Sequence, residues 1–67
     1  MIIKLLHKYQ DGGHRIIDAE KDDYQKFASQ YIQENKGNVG KIEVFIKGEN
    51  GDFIKVDEYI IEEQKTK

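Results

Sequence analysis

Tyr24, Phe27, Ala28, Tyr31 and Ile32 follow one another at i, i+3, i+4, i+7 and i+8. That spacing lines one face of a helix with apolar side chains. Asp22 and Asp23 precede the stripe, where the positive end of a helix dipole favours carboxylates, and Lys36 follows it at the negative end. Asp22 with Gln25 has the spacing of a capping box, and Gly37 suits a left-handed stop. Together these signals predict a helix over 21–36.

On either side the period changes. Ile2 to Tyr9 is rich in strand formers, Asp11-Gly12 is a turn dipeptide, and Arg15-Ile16-Ile17 resumes the apolar run. Downstream, Lys41 to Lys47 alternates apolar with charged residues, Gly48 to Asp52 is turn-forming, and Phe53 to Asp57 returns. The expected strands are 2–9, 14–19, 41–47 and 53–60, with 62–67 a polar tail. The whole chain, 1–67, then reads as a single α+β domain of ββαββ order. Two antiparallel hairpins form a sheet, and one helix packs on one of its faces.

Parity selects the register of the second hairpin. A two-residue Asn50-Gly51 turn sets Ile46 against Lys55 and mixes apolar and charged residues on both faces. A three-residue Glu49-Asn50-Gly51 loop, with Gly51 left-handed, pairs Ile46 with Ile54 and Val44 with Val56. One face then carries Ile42, Val44, Ile46, Ile54 and Val56, ready for the helix. The other carries Glu43, Phe45, Lys47, Phe53, Lys55 and Tyr59. The first hairpin allows two registers. A two-residue Asp11-Gly12 turn pairs Leu6 with Ile17, and a three-residue loop pairs His7 with Ile17. Residues 58–61 extend the last strand or begin a helical turn.

Composition narrows the functional classes. A domain of 67 residues buries a modest fraction of its surface and gains from extra burial, so a homodimer or a bound partner is expected. With no Cys, disulfides and thiolate zinc sites are excluded. The formal net charge is −2, with the signs well mixed, which is not the footprint of a duplex-DNA binder. The N-terminal apolar run is short and broken by charge, and no stretch is long enough for a membrane span, so a cytoplasmic location is expected. Ile and Lys together outnumber Gly, Ala, Arg and Pro by a wide margin, the bias of an A/T-rich genome.

Catalytic chemistry is sparse. Ser29 lies mid-helix without the Gly-x-Ser-x-Gly elbow of a nucleophile. With the two-residue first turn, His7, His14 and Asp18 share a face and can be imagined around a metal. With the other register the two histidines part. The acidic pairs read as a helix start and solvated surface, and the glycine-rich turns lack the context of a phosphate or calcium loop. No cofactor, metal site or catalytic residue is therefore expected. What remains is a surface: Tyr9, Phe45, Lys47, Phe53, Lys55 and Tyr59 are the candidate partner-binding residues. The leading expectation is a non-catalytic protein-binding module. Its size, bias and missing catalytic inventory resemble the general style of phage or mobile-element proteins that occlude a host protein, as inhibitors or regulators. A weak single-stranded nucleic-acid binder on the aromatic and lysine face is the second reading. A small enzyme or toxin using His7 or His14 as a base is the third.

Overall fold

The computed structural model describes residues 1–62, so the predicted tail lies almost wholly outside the described residues. The elements are β1 (Ile2–Tyr9), β2 (His14–Glu20), α1 (Tyr24–Glu34), β3 (Gly40–Lys47) and β4 (Phe53–Ile61). Residues 58–61 thus extend the last strand. The four strands make one antiparallel sheet in the order β2-β1-β3-β4. The two hairpins meet along β1 and β3, the two strands richest in buried aliphatic residues. The α+β class and the ββαββ order match expectation.

α1 lies on one face over those central strands. Ile3, Leu5, Ile42, Val44 and Ala28 are fully buried, Tyr31 and Ile61 nearly so, and Ile17, Tyr24, Phe27, Ile32 and Tyr59 pack around them. The predicted apolar stripe is therefore the buried stripe. The helix is shorter than predicted at both ends. Its N-cap is Asp23, not Asp22: the Asp23 carboxylate accepts from the N–H groups of Gln25 and Lys26, satisfying two of the free donors of the first turn. At the far end Asn35 is the cap, and its side-chain amide donates to the Tyr31 carbonyl at 2.9 Å. Asn38 in turn donates to Asn35 Oδ1. These amides do the work expected of Gly37, which is not left-handed.

Both hairpins close with the same device. In the second, Gly48 N–H donates to Asp52 O and Gly51 sits at φ 91°, giving the three-residue loop predicted. In the first, Tyr9 N–H donates to Gly13 O at 2.8 Å and Gly12 sits at φ 102°. The loop is therefore Gln10-Asp11-Gly12. Neither expected register forms: His7 pairs with Arg15, Leu6 with Ile16 and Leu5 with Ile17. The Asp11 carboxylate accepts from Gly13 N–H, which puts Asp11 in the middle of the loop and Gly12 in the left-handed position. The positive-φ glycine, and not the first Asp-Gly reading, sets where the chain reverses.

The second correction concerns β4. Phe45 pairs with Lys55 as expected, but Val44 pairs with Asp57 and Ile42 with Tyr59. Val56 is the extra residue of a bulge, and beyond it every β4 side chain changes face. Val56 is exposed instead of joining the core, and Ile54, on the helix side near the turn, is 58% exposed. At the seam of the hairpins Gly40 faces Tyr9, and a Cβ there would fall against the Lys8 carbonyl oxygen. Only glycine permits this approach.

Candidate functional site

The face opposite α1 is built from even-numbered residues of β1 and β2 and odd-numbered residues of β3. From β4 it takes Phe53 and Lys55 and, past the bulge, Glu58 and Ile60. At one end Lys4 pairs with Phe45, Phe45 with Lys55 and Lys47 with Phe53. The Lys4 ammonium sits 4.2 Å above the Phe53 ring, a cation–π contact that holds the ring in place. Phe53 is 37% exposed, with Ile2 also open beside this end. At the other end Ile60 is 65% and Ile16 53% exposed. Leu6, Lys8, His14 and Ile16 line a shallow hollow there.

Between the two ends lies an ion network. Glu43 accepts from Lys8 at 3.0 Å and from Lys55 at 2.9 Å. Lys55 also binds Glu58 at 2.6 Å, and Lys41 reaches Glu58 at 3.3 Å. Glu43 and Glu58 are directly opposite across the β3–β4 ladder, a placement that repels unless a cation lies between. Lys55 supplies that cation. Its hydrogen bond, with that of Lys8, lowers the Glu43 carboxyl to about 2, while bonds from the same lysine and Lys41 lower Glu58. The Lys55 ammonium is raised in return, chiefly by Glu58.

Phe45, Lys47, Phe53 and Lys55 are thus brought together as expected. Tyr59 and Tyr9 are not with them. The bulge turns Tyr59 to the helix side, where it packs on the core and donates to Asp57 Oδ2 at 2.7 Å. That bond, above all, pushes its hydroxyl up to about 12. Tyr9, at the end of β1, lies against His7, its ring centroid 4.4 Å away, and also borders the hollow lined by Leu6, Lys8 and His14, away from Phe53. Lys4, Lys8 and Ile2 join the site instead. Nothing in the spacing of the first hairpin marked them, because their face is set by pairing with the distant β3.

The histidines lie on opposite faces, since His7 pairs with Arg15 and His14 with Lys8. Among the described residues no cluster of three or more His, Asp or Glu side chains is arranged to hold a metal. His7 is completely buried. Its Nε2 is 3.0 Å from the Asn38 carbonyl oxygen and its Nδ1 is 2.7 Å from the Tyr31 hydroxyl. A carbonyl only accepts, so Nε2 carries the proton and Tyr31 donates to Nδ1. Burial pushes the imidazole pKa down and the Tyr31 hydroxyl up. Both ring nitrogens are occupied, tying β1 to α1 and to the segment before β3. No helix among the described residues is long and apolar enough to cross a membrane. No family model, no curated protein and no solved structure matches the chain.

Proposed function

We propose that this chain is a non-catalytic protein-binding module that presents the helix-free face of its sheet to a protein partner. The observation that carries the reading is Phe53: a large aromatic ring, more than a third exposed, fixed under the Lys4 ammonium and flanked by Phe45 and Lys47. Rigid aromatic anchors ringed by charge are the residues that dominate protein interfaces. The ion network of Glu43, Lys55 and Glu58 holds neighbouring side chains in one arrangement, so little ordering is left to the moment of binding. The lysines around Phe53 suit a partner with an apolar hollow and an acidic rim. A small cytoplasmic regulator or inhibitor of the phage or mobile-element kind, acting by occlusion, fits the chain's size and A/T bias. The nucleic-acid reading fits less well, because Lys4 covers one Phe53 ring face and Lys55 is held by two carboxylates.

The test is reciprocal affinity capture with wild type, Phe53→Asp and Ile54→Asp. Ile54 is exposed on the opposite side of the sheet. Wild type and Ile54→Asp should hold the same protein, and Phe53→Asp should lose it while keeping its circular dichroism spectrum. Equal capture by all three refutes the assignment of this face, and no specific capture by wild type refutes the function.

A further inference from the structure

The sheet ends on two edges of different build. β4 is interrupted by the bulge at Val56, a common means of blunting an edge. β2 has no such device. Each of its residues from His14 to Glu20 pairs with β1 in one unbroken register. It contains no Pro, its charged residues Arg15, Asp18 and Glu20 are of mixed sign, and it is the outermost strand of the sheet.

The hydrogen-bond phase of this edge follows from its two ends. Lys21 N–H donates to Met1 O at 3.0 Å, and the Met1 amino group donates back to Lys21 O. At the other end Tyr9 N–H donates to Gly13 O. Bonded and non-bonded pairs alternate along an antiparallel ladder. The odd-numbered residues of β2 therefore bond to β1, and the N–H and C=O groups of His14, Ile16, Asp18 and Glu20 point out of the sheet.

We propose that two copies of this chain associate through β2, antiparallel about a two-fold axis at Ile17, to form one continuous sheet. In this register His14 faces Glu20 of the second copy, Ile16 faces its Asp18, Arg15 its Ala19, and Ile17 meets its own equivalent. The outward groups of all four even-numbered residues then pair, giving about eight inter-chain backbone hydrogen bonds. Moving the axis to Asp18 sets that carboxylate against itself, and moving it to Ile16 loses an outer pair and separates His14 from Glu20. Charge and bond count therefore select the same register. Ile17, at the axis, borders the core cluster that α1 packs on. The association uses the edge and leaves Phe53 free, so it stands independently of the protein-binding reading above.

Sedimentation equilibrium on the full chain, from micromolar to millimolar concentration, should show a monomer–dimer equilibrium. Amide exchange followed by NMR should show Arg15, Ile17 and Ala19 protected at every concentration, and Ile16 and Asp18 protected only as dimer forms. His14→Glu, which sets a second carboxylate against Glu20 at two symmetric positions, should weaken the dimer about tenfold or more. Adding Glu20→Lys to that variant should restore it by placing opposite charges at both positions. Phe53→Asp should leave it unchanged. A monomer throughout the range overturns the proposal. So does a dimer in which the Ile16 and Asp18 amides exchange freely, one indifferent to His14→Glu, or one dissolved by Phe53→Asp.

Discussion

Replacing Tyr31 with Phe removes one oxygen and keeps the ring that packs in the core. The Tyr31 hydroxyl is the partner of His7 Nδ1, at 2.7 Å, and His7 has no exposure to solvent. Because Nε2 is committed to the Asn38 carbonyl, Nδ1 cannot be satisfied by a change of tautomer without stranding the other nitrogen. A buried acceptor left unpaired costs about 1–3 kcal/mol. Taking about 2 kcal/mol, a domain of this size should lose roughly 10 °C in Tm. Thermal and urea unfolding followed by circular dichroism measure this directly. Replacing both partners, His7→Phe with Tyr31→Phe, should cost less than the sum of the single changes, because no orphaned nitrogen remains. The pH dependence has a definite sign. Burial lowers the folded pKa of His7 below its ordinary 6.5, so the unfolded chain takes up the proton first. The contribution of His7 is complete above pH 6.5 and is lost as pH falls below it. A Tyr31→Phe loss under about 0.5 kcal/mol, the scale of a neutral surface change, would refute the coupling of the two groups.

Three further outcomes are expected. Glu43→Gln should cost about 1 kcal/mol at neutral pH after allowing for screening of its exposed lysine partners. The Glu43 carboxyl is held near 2 against an ordinary 4.5, so its contribution is full above pH 4.5 and lost towards pH 2; denaturant titrations of the two proteins should converge there. Gly40→Ala should destabilise by about 2 kcal/mol or more, because the new Cβ meets the Lys8 carbonyl and the β1–β3 seam must shift; NMR should report the disturbance at Lys8 and Tyr9 first. Asp23→Ala should cost about 1 kcal/mol in urea unfolding by removing the acceptor for two helix N–H groups, whereas Asp22→Ala should be near neutral.

The sequence made the helix and the four strands legible because each carries its own period, and the core stripe of α1 was readable residue by residue. The aromatic pair Phe45 and Phe53 was legible for the same reason: both lie before the bulge, within the part of the second hairpin where parity holds. What local pattern could not supply was the phase of pairing. In the first hairpin both faces of β1 are partly apolar, so hydrophobicity did not choose a register, and the left-handed Gly12 did. In β4 a single unpaired residue, Val56, reverses the face of everything after it. Tyr59 has the spacing of a surface residue in a regular strand and the surroundings of a core residue in the bulged one. The bulge has its own compensation in charge. Glu58 is turned towards Glu43, and the sheet tolerates that placement because Lys55 also lies on this face and reaches both carboxylates. A regular β4 would put Glu58 on the helix side with Ile54 and Val56, and would bring Asp57 and Tyr59 to the open face. The bulge therefore keeps the Tyr59 ring in the core and builds the ion network beside Phe53 in one step. That is why the ion network beside Phe53 depends on Val56, although Phe45 and Phe53 themselves do not.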